Sequence, residues 1–293
     1  MRQRWRALTA GPGQGLGAGL LVGSVVGSAA GSLTGLVAEL AGLVLPVDCA
    51  GCGAVRVALC GACRSELSGA GTGPVRPSPG PAGLPVVHAA AAYEGAVRAV
   101  VLAHKERGAL PLAAALGTAL AAAVRAGAGG GGGAGGVGGE GEGVAGEVAL
   151  VPVPSARHRI RARGHDPAHR IALAASARLR RAGVPARVAP VLRLRRAVAD
   201  QAGLGAAQRR ENLAGALEVR PGAGRVTAGA QRIVVVDDLV TTGATLAEAA
   251  RALRAAGIGP LGGAAVVAAA ADAFVRGAGK IRSATRTEQK TCE

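Results

Sequence analysis

Two adjacent carboxylates, Asp237 and Asp238, follow four apolar residues and precede a turn rich in threonine. The run 233–236, IVVV, predicts a buried parallel strand because it is β-branched and uninterrupted. Residues 246–256 have helical character and end at Gly257, so the order is strand, turn and helix. Open α/β sheets bind ligands at the carboxyl ends of their strands, where the two acids are expected to accept hydrogen bonds from vicinal sugar hydroxyls.

The turn between this strand and helix supplies groups suited to an anion. A helix N-terminus presents unpaired N–H groups and a positive dipole end, and threonine hydroxyls add further donors. The residues expected to hold a phosphate are Thr241, Thr242, Gly243 and Thr245. The alternative is a strand that merely ends in two acids before a capped helix. The joint placement of acids and turn favours a ligand that carries both a diol and a phosphate.

Four cysteines form two CxxC pairs that are separated by seven residues: Cys49 and Cys52, then Cys60 and Cys63. Each pair can present two thiolates from one tight turn, and four sulfurs complete a tetrahedral Zn²⁺ site. A full set of four protein ligands indicates a structural metal rather than a catalytic one. Two disulfides in a secreted protein are the alternative. Cys292 stands alone in a polar tail and is predicted to be an ordinary exposed thiol.

The composition limits both the core and the classes of partner. The 293 residues include 49 glycines and only three aromatic residues, so the core is expected to consist of Ala, Val, Leu and Ile. The formal net charge of +16 is concentrated locally, with fourteen arginines against three acidic residues between Val151 and Asn212. Such a segment is suited to a polyanion, either a pyrophosphate or a nucleic-acid backbone.

Residues 11–38 carry no charged side chain, and their length permits a membrane span. Glycine, however, recurs at every fourth position from 11 to 35, and it is a poor helix former. Under the positive-inside rule, Arg2, Arg4 and Arg6 would also place the thiols and the sugar-phosphate site outside the cell. We therefore expect a flexible extension, no stable membrane insertion and a cytoplasmic protein. A membrane-associated segment and a targeting segment are the alternatives.

Changes in composition divide the chain into an extension, a zinc module that begins with a short helix, a linker, a main domain and a polar tail. In that order they are residues 1–35, 36–68, 69–85, 86–275 and 276–293, and a disordered glycine-rich insertion occupies 126–147.

Strands alternate with helices in the main domain, which predicts a parallel α/β sheet. Strands are predicted from residue 86 onwards and at 148–153, 186–194, 233–236 and 263–270. Helices are predicted at 95–124 in two pieces broken near 108–111, at 171–182 and at 246–256.

The order of several motifs resembles the ComF family of bacterial phosphoribosyltransferase-like proteins. These are the two CxxC pairs, YEGAVRAVVLAHKERG, VPVPSARHRIRARGHD, QAGLGAAQRRENLAGAL and IVVVDDLVTTGAT. The last matches the ribose-phosphate motif of type I phosphoribosyltransferases at every position that the motif restricts. The resemblance covers roughly residues 36–270 without the glycine tract. It implies a type I phosphoribosyltransferase-like parallel sheet flanked by helices and preceded by a small zinc-binding module.

The resemblance also implies roles for single residues. Asp237 and Asp238 would hold the ribose hydroxyls of phosphoribosyl pyrophosphate, and the turn after them would wrap its 5′-phosphate. The basic segment takes the place of the pyrophosphate-binding loop. The residues implied in diphosphate contact, together with Mg²⁺, are Arg157, Arg161, Arg163 and Gly164. The residues matching a mobile catalytic loop are Gln201 and Arg209, with Asn212 as a ligand contact, and Lys105 matches a basic position near the entrance.

Two functions remain open from the sequence. The first is a glycosyltransferase that transfers phosphoribosyl to an unidentified acceptor with the help of Mg²⁺. The second is a non-catalytic adaptor that binds single-stranded DNA and DNA-uptake proteins, because the family that the chain resembles is associated with natural competence. The scarcity of aromatic residues argues against recognition by base stacking, so such DNA binding would show little sequence preference.

Overall fold

The apolar run at 233–236 lies in the middle of the larger of two sheets. The computed structural model describes residues 48–129, 146–196 and 205–275. The strands in these ranges are β1 Gly73–Val75, β2 Val87–Ala92, β3 Val148–Pro152, β4 Ala186–Val188, β5 Leu192–Leu194, β6 Leu217–Val219, β7 Arg232–Val240 and β8 Leu261–Ala269. The helices are α1 Gly61–Glu66, α2 Gly95–Arg107, α3 Ala113–Gly129, α4 Arg157–Arg163, α5 Pro167–Arg181, α6 Ala206–Leu213, α7 Ala223–Thr227 and α8 Ala244–Ala255.

Six strands form the larger sheet in the order β1-β2-β8-β7-β3-β4, and β5 and β6 form a small antiparallel sheet. Strand β1 is antiparallel to β2, and all other neighbours in the larger sheet run parallel. The prediction of an α/β fold with a mostly parallel sheet between helices is therefore confirmed. Residues 233–236 are all buried, as expected for a parallel strand that is covered on both faces.

Alternate side chains of β7 enter two hydrophobic clusters, one on each face of the sheet. Val234 and Val236 join the cluster beneath α3 and α5, while Ile233 and Val235 join the cluster beneath α8 and the small sheet. Apart from three cysteines, both clusters consist of Ala, Val, Leu and Ile, as the composition predicts. The two described aromatic residues, Tyr93 and Phe274, are only half-buried.

Small side chains allow α3 and α5 to approach closely. A Cβ atom added at Gly117 would lie 2.5 Å from the Cβ of Ala174 and 2.8 Å from its carbonyl carbon. Alanine and glycine at this crossing thus replace large side chains as the means of filling the interior, because close backbones leave no volume between the helices.

The helix breaks predicted near 108–111 are present. Helix α2 ends at Gly108, which adopts the left-handed conformation that favours glycine at a helix C-terminus, and a short 3₁₀ turn over Leu110–Leu112 leads into α3. By length and composition, Leu110–Ala128 is the one helical stretch in the described ranges that can cross a membrane. Over half of its most apolar window is buried inside the molecule, where α3 packs on β2 and β8.

Several boundaries differ from those that the sequence predicts. Strand β7 continues through both acids to Val240, because their main chains keep the ladder to β8. The predicted strand at 186–194 is two strands in different sheets, and part of the predicted linker forms β1. The basic stretch after β3, expected as a loop, contains helix α4. The extension, the short helix at 36–46, most of the insertion and the tail lie outside the described residues.

Candidate functional site

A cavity of about 250 Å³ opens at the carboxyl ends of β3 and β7. The chain leaves β3 through α4 and α5 towards β4, and it leaves β7 through α8 towards β8 on the opposite side. Connections that diverge from two adjacent parallel strands leave a crevice between them, which is where open α/β sheets bind ligands. The predicted site residues that line this cavity are Lys105, Arg163, Asp237, Asp238, Thr241 and Thr245.

The two acids occupy different surroundings within the cavity. Asp238 follows Val236 on the face towards α2, where its side chain is almost fully buried and pairs with Lys105. The Lys105 Nζ atom lies 2.8 Å from one carboxylate oxygen of Asp238 and 3.0 Å from the other. Asp237 accepts a hydrogen bond of 2.8 Å from the N–H of Asp238. Lys105 therefore contacts Asp238 directly, while Asp237 is held by a hydrogen bond from the main chain.

The charges of these three groups are coupled. Burial, followed by the negative charge of Asp238, holds the pKa of the Asp237 carboxyl well above its usual range. Burial alone lowers the pKa of the Lys105 ammonium, but the charges of Asp238 and Asp237 outweigh it and raise the pKa. Hydroxyl groups that donate hydrogen bonds to the charged form of Asp237 would lower its pKa and favour its ionisation.

The turn after β7 divides its predicted residues between the cavity and the scaffold. Thr241 and Thr245 line the cavity. Gly243 is the N-cap of α8 with φ of 75°, a left-handed conformation, and its Cα faces Leu84 rather than the cavity. The Thr242 hydroxyl accepts a hydrogen bond of 3.4 Å from the N–H of Ala244. Thr242 and Gly243 therefore shape the helix start, which places the two lining threonines.

The arginines of α4 separate according to helical spacing. Arg159 and Arg163, four residues apart on one face of α4, line the cavity, and Arg163 also pairs with Glu106 at 2.7 Å. Arg157 lines a second cavity beside the first. Arg161 is exposed and lines neither the first nor the second cavity. Gly164 caps the C-terminus of α4 in a left-handed conformation. Sequence reasoning missed Arg159 because it treated this segment as a loop, whereas a helical interpretation pairs positions 159 and 163.

The predicted catalytic loop is only partly described. Gln201 lies outside the described residues. Arg209 belongs to α6, and nothing is described of its side chain. Asn212, also on α6, accepts a hydrogen bond of 2.8 Å from Arg196 through its main-chain carbonyl, and it does not line the cavity. The functional roles of these residues remain predictions.

An apolar wall and a histidine contact complete the site, and sequence reasoning missed both. Leu194 of β5, Leu217 of β6 and Leu213 of α6 also line the cavity. For Leu194 and Leu217, the signal was the alternation of apolar residues in the two short strands. The ring of His165 contacts the carbonyl oxygens of Arg163 and His104, each at 3.1 Å, and so ties α4 to α2. No spacing in the sequence indicated this contact.

The four cysteines meet in a separate cluster. Their sulfur atoms all lie within 4.8 Å of one another, and Cys52 Sγ is 3.6 Å from Cys60 Sγ. A tetrahedral zinc site with Zn–S bonds of 2.3 Å needs sulfurs about 3.8 Å apart, so the cluster fits such an ion. All four described cysteines are free thiols, which does not support the alternative of two disulfides.

Two thiols of the cluster have pKa values that shift in opposite directions. Burial and the neighbouring sulfurs raise the pKa of the Cys63 thiol. Burial also acts to raise the pKa of Cys49, but N–H donors, including that of Cys60 at 3.3 Å, outweigh it and lower the pKa. Four thiolates at this separation repel one another, and the positive charge of a coordinated metal ion offsets this repulsion, so that its thiol ligands stay deprotonated. The four cysteines are therefore a candidate site for a metal ion such as zinc.

Comparison of the chain with models of protein families gives no match, and a search of curated proteins gives none either.

Proposed function

We propose that the chain is a phosphoribosyltransferase-like protein of the ComF type that binds phosphoribosyl pyrophosphate with Mg²⁺. The observation that carries this proposal is the joint lining of one cavity by two acids, two threonines, two arginines and a lysine. Carboxylate oxygens at Asp237 and Asp238 suit the vicinal hydroxyls of a ribose. Thr241 and Thr245, beside the N-terminus of α8, suit its 5′-phosphate.

The basic side chains suit the diphosphate of the same ligand. Cleavage of the bond between C1′ and pyrophosphate leaves positive charge on the ribose and negative charge on the departing diphosphate. Arg159 and Arg163 would stabilise the leaving group, and each well-placed donor contributes on the order of 3 kcal/mol in a transition state. Mg²⁺ would enter with the diphosphate and neutralise part of its charge. The negative charges of Asp237 and Asp238 would stabilise the positive charge that develops on the ribose.

Lys105 forms an ion pair with Asp238 and would therefore compete with a ribose hydroxyl for the Asp238 carboxylate. Before binding, Lys105 neutralises the buried acid, which prevents an uncompensated charge in the interior. A ribose hydroxyl that donates to Asp238 can take over part of this role, and the ammonium of Lys105 is then available to the diphosphate. Lys105 thus belongs to the proposed binding site as well as to the resting structure.

The cysteine cluster supports the fold in this proposal. Cys49, Cys60 and Cys63 are buried in the same hydrophobic cluster as α2 and α3, so a zinc ion there would fix the module against the helix that carries Lys105. A metal with four protein ligands has no open position for a substrate. Zinc is accordingly proposed as structural, and its removal is expected to act through stability.

Calorimetry with phosphoribosyl pyrophosphate and Mg²⁺ tests the proposal. Wild-type protein is expected to bind, and the Asp237→Asn/Asp238→Asn variant is expected to bind at least about tenfold more weakly, because it loses two charged acceptors. Asp272→Asn is the matched control, since Asp272 is exposed and does not line the cavity. Absence of binding by the folded wild-type protein contradicts the proposal, as does equal binding by all three proteins.

A further inference from the structure

A second, larger cavity of about 690 Å³ lies beside the first. Pro154, Ser155, Ala156 and Leu194 line both cavities, so the segment after β3 forms the ridge between them. The lining of the second cavity includes five arginines: Arg157, Arg193, Arg195, Arg196 and Arg220. Among the residues that the structure describes, the same lining includes two acidic ones, Asp166 and Glu218. This concentration of one sign of charge in a concave surface distinguishes it from the mixed charges of the first cavity.

The small sheet explains why three of these arginines, Arg193, Arg195 and Arg220, lie on one face. Along β5 and its continuation, Leu192 and Leu194 turn towards the protein, and Arg193 and Arg195 turn away from it. Glu218 of β6 is the partner of Arg193, so its side chain lies on the same outer face of the ribbon. Arg220 follows Glu218 by two residues and therefore lies on this face as well. Because side chains alternate along a strand, one face of this ribbon packs on the core and the other is basic.

The acids in the lining are already engaged by other groups. Glu218 pairs with Arg193 at 2.8 Å. Asp166 accepts hydrogen bonds from the N–H and the hydroxyl of Ser155, at 3.2 and 3.3 Å. Among the described residues, no acid forms an ion pair with Arg157, Arg195 or Arg220. Three like charges that converge on a concave surface raise its electrostatic potential and concentrate anions there.

We propose that this second cavity, which we call the arginine cavity, is a binding site for the phosphate group of an organic phosphate. Its volume is within the range of pockets that hold small ligands. Planar guanidinium groups suit phosphate oxygens because they can donate two parallel hydrogen bonds. The described part of the lining contains no Phe, Tyr or Trp, which are the side chains on which the bases of single-stranded nucleic acids stack. Recognition therefore rests on the phosphate itself rather than on bases.

The shared ridge gives the arginine cavity a role next to the first one. A ligand in the arginine cavity lies on the other side of Pro154, Ser155 and Ala156 from the proposed ribose site. If the proposed function holds, the occupant of the arginine cavity is the acceptor for phosphoribosyl transfer. Only this assignment of the occupant rests on the proposed function. The acceptor would then be a molecule that carries its own phosphate and a nucleophilic N–H or O–H group. That N or O atom would form the new bond to C1′ and release its proton to water, while the bond from C1′ to pyrophosphate breaks and pyrophosphate leaves with the electron pair.

The experiment uses thymidine 3′-monophosphate as the probe. It has a phosphate but no vicinal diol, so it cannot make both of the contacts that the proposed function assigns to the first cavity. Binding to the full-length protein is measured by calorimetry at low salt and in 0.2 M salt, with inorganic phosphate and a short oligothymidylate as comparison ligands. Arg157→Ala/Arg195→Ala removes two charges from the cavity, and Arg178→Ala/Arg181→Ala removes two exposed charges from α5 as the matched control.

Wild-type protein is expected to bind the probe and to lose affinity with salt, because the interaction is ionic. The cavity variant is expected to bind at least about tenfold more weakly, whereas the control keeps wild-type affinity. Circular dichroism checks that both variants fold. An equal loss in both variants overturns the proposal, as does an absence of probe binding. Binding of oligothymidylate alone overturns it too, because an extended strand would then be the ligand.

Failure of this inference is distinguishable from failure of the proposed function. The Asp237→Asn/Asp238→Asn variant is expected to bind the probe as the wild type does, since neither acid lines the arginine cavity. Probe binding that depends on Arg157 and Arg195, without any binding of phosphoribosyl pyrophosphate, would leave the second site intact and remove the first. Loss of probe binding in the acid variant would instead show that the probe occupies the first cavity.

Discussion

The cysteine cluster and the acid-lined cavity differ in how they are assembled. The four cysteines lie within fifteen consecutive positions, and their sulfurs are brought together by a turn after Cys49 and by the first turn of α1, whose N-cap is Cys60. The cavity draws on Lys105, on arginines of α4 and on acids of β7, so its groups are separated by up to 140 positions. A local site can be inferred from spacing, whereas a distributed site depends on the sheet order that brings distant segments together.

The two regions also differ in how charge is balanced. The sulfurs are alike, so they need a cation from outside the chain if all four are to ionise. The cavity supplies its own counter-ion, because Lys105 pairs with Asp238 before any ligand is present. The cluster is therefore expected to lose stability when its metal is lost. The cavity is expected to destabilise the protein when a buried charge is left without its counter-ion.

The largest expected effect comes from breaking the cluster. Cys63→Ser is expected to remove bound zinc and to lower the melting temperature strongly, because structural zinc sites contribute roughly 10–16 kcal/mol of apparent binding free energy. Metal analysis and thermal unfolding measure the two consequences. Cys292→Ser is the control, since this cysteine lies outside the CxxC pairs. A Cys63→Ser protein with wild-type metal content and melting temperature would contradict the metal site.

The next effect comes from removing the counter-ion of the cavity. Lys105→Met should lower the free energy of unfolding by about 3 kcal/mol, because it leaves the buried carboxylate of Asp238 unpaired. Urea unfolding measures this loss, and Arg107→Met on the same helix is the control because Arg107 is exposed. Asp238→Asn in the Lys105→Met background should recover part of the loss, so that a double-mutant cycle shows coupling. Additive effects would show that the ion pair carries no energy.

A smaller effect is expected in the pH dependence of stability at Asp237. The folded-state pKa of Asp237 is raised, so the folded state binds more protons than the unfolded state above about pH 4, the usual aspartate pKa. Stability contributed at this residue therefore falls as pH rises from that value through the folded-state pKa. Relative to wild type, Asp237→Asn should gain stability between pH 4 and pH 8 in urea unfolding. A constant difference across this range, or the same trend in Asp272→Asn, would contradict the assignment.

Sequence patterns predicted those features of the fold that depend on neighbouring residues. The β-branched run at 233–236 predicted a buried parallel strand, and the break near Gly108 predicted two helices. The extent of β7 was harder to predict, because carboxylates rarely continue a buried strand. Pairing with β8 keeps both acids extended, and Lys105 compensates one of them.

The candidate site shows the same division. The acids and the threonines were predicted from one motif, and Lys105 from its match to a family pattern. Arg159 was missed, and Arg157 was grouped with Arg163 although the two residues line different cavities. This grouping follows from treating α4 as a loop, because in a loop all nearby arginines are equivalent candidates, while a helix assigns each to a face.

The chemical groups and their local order could be read from the residues alone: four thiols at metal-binding spacing, and two acids followed by a threonine-rich helix start. Which distant charges contact these groups depends on the packing of the strands and helices. Lys105 lies 133 positions from Asp238, and the arginines divide between two cavities on either side of the segment after β3. The physical reason is that spacing along the chain fixes contacts within a turn or helix, whereas contacts across a sheet depend on the order and direction in which its strands pair.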